Sequence, residues 1–303
     1  MLLFPVVGHG WKGYARNIKA LRQLICKEHP DIVHAHYSTC GFLVSLALIP
    51  LCLSPSFRNG MNGGFPKTFI SILGSFPTKN LRYKVIRWFI QHVWNGALTK
   101  SERTRSQLDL PLPVVPNGVN LDIFYPMETS ACRQQVGFAD GKKYVVWCSN
   151  PERPEKNWSL AKAAIELVQQ ELQEVELVPV YNKTPQEVAT YMNAADCMLL
   201  TSDSEGSPNV VKEAMACNCP IVTTDVGDVT ERLTGLDNCY IVKDNDLRFT
   251  DMQAVAPLVA EALKNVLTKG EKTLGYQRIQ KDGLAIDAIA TRIVDIYNKL
   301  LNK

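Results

Sequence analysis

The residues best suited to chemistry in this chain cluster at Ser204-Glu205-Gly206-Ser207-Pro208-Asn209-Val210-Val211-Lys212-Glu213. Gly206 lets the chain bend sharply after a strand, and Pro208 is pre-set for the first turn of a helix, with Ser207 in the N-cap position. A helix starting there presents unpaired backbone N–H groups and the positive end of its dipole at the carboxyl edge of a sheet. Phosphates and sugar phosphates bind at such places. Glu205 in the loop and Glu213 about a turn and a half into the helix could grip hydroxyls at two points of an extended ligand. Lys212 is the one obvious cation beside them, and an acid at a helix start also simply complements the dipole. A second loop-to-helix junction, Asn150-Pro151-Glu152-Arg153-Pro154-Glu155-Lys156-Asn157, carries Arg153 and Lys156, which could neutralise phosphates in the same crevice or stand as a solvated loop.

Other patterns are weaker. Gly8-His9-Gly10-Trp11-Lys12-Gly13 matches G-x-G-x-x-G, but the next strand ends in His36-Tyr37 where a dinucleotide site wants an acid. A flexible turn is expected instead. Cys217 and Cys219 form C-x-C with no second Cys/His pair at zinc spacing. The nine cysteines, an odd number and mostly in apolar runs, read as buried thiols.

These junctions need elements to carry them, and the second half supplies strand–helix alternation. Strands are expected at Tyr144–Cys148, Val175–Val180, Cys197–Thr201, Pro220–Thr224 and Cys239–Val242. Helices are expected at Trp158–Gln173, Pro185–Ala195 and Pro208–Cys217, with a short one after Asp228. The strands are nearly continuous in apolarity, as strands covered on both faces should be. The order implies right-handed βαβ units in a doubly wound parallel sheet. Thr184-Pro185-Gln186-Glu187 spells a capping box. Helices about Met252–Leu267 and Ile286–Asn302 follow. The first half alternates less cleanly: strands at Leu2–Val7, Ile32–His36, Phe69–Leu73 and Ala97–Lys100, with helices at Tyr14–Glu28, Phe42–Cys52, Leu81–Val93 and Glu102–Leu108. The turn-rich stretch from Pro111 to Pro126 divides the halves.

A length of 303 residues, 46% apolar and 21% charged, fits two soluble domains and excludes a disordered chain or a disulfide-stapled miniprotein. The longest apolar run, Cys40 to Leu53, has 14 residues and contains Pro50, short of the ~20 that a membrane span needs. The chain opens on no secretory pattern, which favours the cytoplasm. The stretch from Lys79 to Arg105 carries +6 of a net +3, so the rest carries −3. Trp88, Phe89 and Trp94 are interleaved with these cations. The helix at Leu81–Val93 is therefore either a solvated face or a basic, aromatic helix suited to an anionic membrane surface. No basic stripe or motif elsewhere supports a nucleic-acid partner.

Taken together, the residues resemble a known family. Glu205 to Glu213 is an E-x7-E spacing around Gly-Ser-Pro-Asn, preceded by Ala194-Ala195-Asp196 and Thr201-Ser202-Asp203 and followed by Glu213-Ala214-Met215-Ala216-Cys217. With Pro220-Ile221-Val222 and Gly227-Asp228-Val229-Thr230-Glu231, this resembles the donor half of glycosyltransferase family four, retaining enzymes of the GT-B fold. Val115 to Phe124 is similar to that family's interdomain linker, and Pro30-Asp31-Ile32-Val33-His34-Ala35-His36-Tyr37 to its N-terminal domain. The resemblance implies an α/β chain of two Rossmann-like, doubly wound parallel-sheet domains: 1–125 on the acceptor side, 126–285 for the donor, and 286–303 as a helix packing back on the first. It implies a UDP- or GDP-linked nucleotide sugar as substrate, a glycan or lipid-linked acceptor, and no cofactor. Glu213 would bind the ribose and Glu205 the sugar hydroxyls. The stretch Gly206, Ser207, Pro208, Asn209 and Val210 would meet sugar and diphosphate, and Lys156 with Arg153 would stabilise the leaving diphosphate. No metal is implied, so Asp244-Asn245-Asp246, a D-x-D match, is set aside.

Three departures from the family pattern stand out. Arg153 lies three residues before Lys156, where the family has five, and Pro151 takes that place. Phe76 stands where relatives often carry Asp, leaving His36 as the acceptor-side candidate. The chain also enters late: one βαβ unit of roughly 30 residues is expected to be missing, so that the first domain is incomplete. A non-catalytic nucleotide-sugar-binding remnant is therefore the alternative to an active enzyme, and a GT-B sugar-nucleotide epimerase fits the loop and linker less well.

Overall fold

The structure is a computed structural model that describes residues 1–8, 10–52, 65–74, 81–243 and 252–302. It divides into two compact units, one of Met1–Val115 with Thr291–Lys303, the other of Pro116–Ala290.

The first unit holds a parallel sheet in the order β1 (Ile32–His36), β2 (Lys67–Ile72) and β3 (Gly96–Thr99). Alternation sends Ala35, Ile70, Ile72 and Ala97 to one face, where they meet Leu21 and Ile25 of α2 (Asn17–Glu28) and Val44, Ala47 and Leu48 of α3 (Ser38–Cys52). The apolar run is thus a core helix. Tyr83 and Ile86 of α4 (Leu81–His92) and Leu108 of α5 (Glu102–Leu108) complete that core. On the other face, Gly96 lies between Phe69 and Leu300, and Phe69 meets Tyr297, both Leu300 and Tyr297 belonging to the C-terminal helix Ile286–Leu301.

The expected strand at Leu2–Val7 does not form. A strand needs a neighbouring ladder, and none takes it: Pro5 has no N–H, and both backbone groups of Val7 bond to the side chain of Asn17. Leu2, Leu3 and Val7 remain more than 60% exposed. The expected helix Tyr14–Glu28 is split into α1 (Gly10–Ala15) and α2. Gly8 and Gly13 touch through their backbones with no strand before them, and where a turn was expected Gly10 to Gly13 lie in α1, His9 falling outside the described residues.

The second unit holds five parallel strands in the order β5-β4-β6-β7-β8: β4 (Lys143–Trp147), β5 (Val175–Pro179), β6 (Cys197–Leu200), β7 (Ile221–Thr224) and β8 (Cys239–Val242). Winding runs outward in opposite directions from β4 and β6, so a topological switch point lies between their carboxyl ends. The helices between strands are α7 (Trp158–Gln169), α8 (Pro185–Ala194), α9 (Asn209–Ala216) and α10 (Val229–Leu233), after α6 (Thr129–Val136). The capping box forms as spelled: Thr184 Oγ1 accepts from the Glu187 N–H at 3.2 Å, and Glu187 accepts from the Thr184 N–H at 2.8 Å. Next come α11 (Met252–Lys269), α12 (Gly275–Lys281) and α13 (Ile286–Leu301), whose first five residues belong to this unit and the rest to the other. Helices α6 and α12 lack the long apolar periodicity that would announce them.

The chain passes between units at 115/116 and 290/291, whereas the sequence points to 125/126 and 285/286. Residues 116–125 stay with the second unit because Val119 exchanges backbone bonds with Leu284 and Ile286, at 3.0 and 2.9 Å. The eight cysteines whose side chains are described are free thiols. Burial pushes the Cys217 thiol far up, Cys219 to about 11 and Cys239 to about 12, so these three are inert toward ionisation. Among the described residues no helix is long and apolar enough to cross a membrane, and no three His, Cys, Asp or Glu converge as metal ligands. Asp244-Asn245-Asp246 lies outside the described residues.

Candidate active site at the carboxyl edge of the second sheet

The loops after β4 and β6 flank the switch point and are joined by backbone and side chain. Thr201, just past β6, donates from its hydroxyl to the C=O of Lys156 at 2.9 Å and of Asn157 at 3.0 Å, while accepting from Trp147 Nε1 at 2.9 Å. The Asp203 N–H donates to the Glu155 C=O at 3.0 Å, and Asn157 Nδ2 donates to Asp203 Oδ1 at 3.0 Å. Asn157 adopts φ +55 and also caps α7 by accepting from the Leu160 N–H. Asparagine tolerates that left-handed conformation, and its short amide reaches both partners.

This stitching brings Lys156 and Glu205 together across 49 residues of chain. Lys156 Nζ donates to Glu205 Oε1, and each side chain is 16% exposed. The cation beside Glu205 is therefore Lys156 and not Lys212. Arg153 is not part of the pair: its guanidinium forks onto Glu155, at 2.8 and 2.5 Å, and its side chain is 56% exposed. The Pro154–Lys156 turn sends Lys156 inward and leaves Arg153 outside.

The start of α9 differs from the expected pattern. Pro208 holds the N-cap position and offers no side-chain cap, because Ser207 turns its hydroxyl inward to Asp228 Oδ2 at 2.9 Å. The first amides of α9, from Asn209 and Val210, thus have no capping acceptor and remain available to an anion. Gly206 leads into this turn, and its carbonyl lies so close to Gly227 that a Cβ on Gly227 would stand 2.8 Å away.

Glu213 lies further along α9. Burial raises its carboxyl to about 7, with Lys212 opposing the shift. A group poised there is half ionised near neutral pH, accepting hydrogen bonds when charged.

In the first unit, His36 sits exposed at the end of β1, stacked on His34 at 4.5 Å between ring centroids. His34 is bonded to the Tyr297 hydroxyl and, at 2.8 Å, to Ser71 Oγ. Burial, then repulsion from His36 and Lys100, lowers His34 to about 3; burial and Lys100 also lower His36. His34, His36, Tyr37 and Tyr297 line a cavity of about 880 Å³, walled mainly by apolar residues such as Phe4 and Val44. Sequence reasoning passed over Thr201 and Asn157 as stitching residues; an Asn just before an apolar-periodic helix was the available signal.

Comparison with known proteins fits this geometry. Residues 142–265 match the family described as "Glycosyl transferases group 1". N-acetyl-alpha-D-glucosaminyl L-malate synthase of Bacillus anthracis is 20% identical over 283 residues, covering 84% of this chain and 72% of that protein. A putative teichuronic acid biosynthesis glycosyltransferase, TuaC of Bacillus subtilis, is 34% identical over 105 residues, 35% of this chain and 22% of that one. Among solved structures, sucrose-phosphate synthase from Thermosynechococcus elongatus superposes with a TM-score of 0.70 at 18% identity, covering 96% of this chain and 79% of that one. Anabaena HepE in complex with UDP-glucose gives 0.67 at 16% identity, covering 93% and 82%. The chain accordingly has the GT-B fold of these structures, and its residues 142–265 match the model of the group 1 glycosyltransferases.

Proposed function

We propose that the protein is a retaining family-four glycosyltransferase that moves a sugar from a UDP- or GDP-sugar to a hydroxyl of a glycan or lipid-linked acceptor. The sugar–phosphate bond breaks, a glycosidic bond to the acceptor oxygen forms, and nucleoside diphosphate leaves, its freed phosphate oxygen taking up the hydroxyl proton. The observation carrying this reading is the Lys156–Glu205 pair at the switch point, beside uncapped helix amides. Glu205 holds the donor sugar hydroxyls and Glu213 the ribose, while the Gly206–Val210 backbone and Lys156 meet the diphosphate. Lys156 and the α9 amides supply the positive charge that stabilises the departing anion, which makes a metal unnecessary. Arg153 would have to leave Glu155 to assist, and His36 stands on the acceptor side. The HepE complex with UDP-glucose supports a nucleotide-sugar donor, and the N-acetyl-alpha-D-glucosaminyl L-malate synthase supports a glycosidic product.

Titration with UDP- and GDP-sugars by calorimetry, followed by a product assay with and without EDTA, tests this reading. Binding with EDTA-insensitive transfer is expected. Binding without turnover identifies the non-catalytic remnant instead.

The acceptor side also suits a peripheral location. On α4, Leu81, Val85 and Trp88 face solvent, Trp88 at 53%, flanked by exposed Arg82 and Lys84. That face fits an anionic membrane surface at the cytoplasmic side. Sedimentation with anionic but not zwitterionic liposomes is expected, and insensitivity to anionic lipid would count against it.

A further inference from the structure

Directly behind the loop from Glu205 to Pro208 lies a charged cluster that the donor reading leaves unused. Lys212 is fully buried, and Asp228 is 1% exposed. Taking an ammonium out of water costs several kcal/mol unless it is paired and bonded, and Met or Leu would fill similar volume. What the ammonium alone supplies is donors. Lys212 Nζ donates to Ser207 Oγ at 2.8 Å and to the Pro208 C=O at 3.0 Å, with Asp228 Oδ1 at 3.8 Å. Ser207 Oγ donates onward to Asp228 Oδ2 at 2.9 Å. Asn117 closes the other side: its amide donates to the Ser207 C=O at 3.2 Å, and its N–H reaches Ser207 Oγ at 3.4 Å. Arg232 Nε approaches Asp228 Oδ2 at 3.3 Å and is itself balanced by Glu231 at 3.0 Å.

Ser207 is therefore held at both its hydroxyl and its carbonyl. Beneath it, Gly227 at φ +58 lets the Gly206 backbone rest directly on the chain. These bonds hold the loop in place before any ligand arrives, which is what an anion site needs to avoid reorganising on binding.

We propose that Asn117, Ser207, Lys212 and Asp228 form a buried clamp that positions the Gly206–Val210 amides for the donor diphosphate, with Lys212 as a positioning residue. The proposal rests on the donor reading above. Fully buried behind the loop, Lys212 acts through Ser207 and Pro208.

The test compares uridine with UDP, and guanosine with GDP, binding to wild type, Lys212→Met and Ser207→Ala, by calorimetry or ligand-observed NMR alongside thermal unfolding. The telling quantity is the gain in affinity from nucleoside to nucleoside diphosphate. In both variants that gain is expected to shrink about tenfold, or ~1.4 kcal/mol, with nucleoside affinity unchanged. A role confined to stability would lower the Tm and leave the gain intact. A full gain in either folded variant overturns the clamp. Should Lys212→Met fail to fold, Ser207→Ala decides, since it deletes one hydroxyl and leaves the packing. Wild type that gains nothing from the diphosphate with either base overturns the donor reading itself, and the clamp with it.

Discussion

The two sheets end very differently. In the second unit, winding reverses between β4 and β6, and at the reversal Lys156 and Glu205 form an ion pair beside uncapped amides. In the first unit the described strands run β1-β2-β3 without reversal. There His34, His36 and Lys100 are all driven toward their neutral forms, chiefly by burial, with Lys100 repelling both histidines and His36 repelling His34 as well. One edge brings charges together where an anion can use them, and the other suppresses charge. Strand order thus decides whether a parallel sheet's carboxyl edge builds an ionic site.

The contrast breaks most visibly at Lys156. Lys156→Ala is expected to lower kcat about 100-fold or more, the size found when one stabilising donor is removed from an anionic transition state, with a Tm change of a few degrees. Equal losses of kcat and Tm-adjusted folding would make the pair structural.

The two edges also carry opposite pH signatures in stability. Buried His34 resists protonation when folded, so stability is lost as pH falls through the range from 6.5 to about 3. Glu213 holds its proton to about 7 when folded against 4.5 in the open chain, so stability falls as pH rises through that range. Between 4.5 and 6.5 the two slopes oppose each other. The unfolding free energy of Glu213→Gln from urea titration should therefore rise with pH by ~1.4 kcal/mol per unit there, and that of His34→Gln should fall. Identical slopes in both variants would contradict the assignment of either group. Donor affinity should also weaken as pH drops below about 7, when Glu213 gains its proton.

The smallest effect is expected at Arg153. Because its guanidinium is spent on Glu155 at the surface, Arg153→Ala should change kcat/KM by less than about threefold, the range of an exposed pair. A loss matching that of Lys156→Ala would mean that Arg153 swings inward with substrate.

Local chemistry made much of this legible in advance. Thr184 to Glu187 spelled a capping box that forms bond for bond, and the strands of the second unit stand within a residue or so of their apolar runs. Glu205, Glu213 and Lys156 were visible as residues, but the pairing of Lys156 with Glu205 was not. It depends on Thr201 and Asn157 stitching two loops far apart in sequence. Ser207 read as a cap because N-cap serine precedes proline so often; buried Lys212 and Asp228 outbid the helix for its hydroxyl. Leu2–Val7 read as a strand on composition, and composition cannot supply a ladder partner.

Sugar transfer from a UDP- or GDP-sugar by wild type and Glu205→Ala, with the Tm of both, tests the central claim most directly. A turnover loss of about 100-fold, with the fold retained, is the predicted result. Wild-type turnover in the folded variant would contradict it.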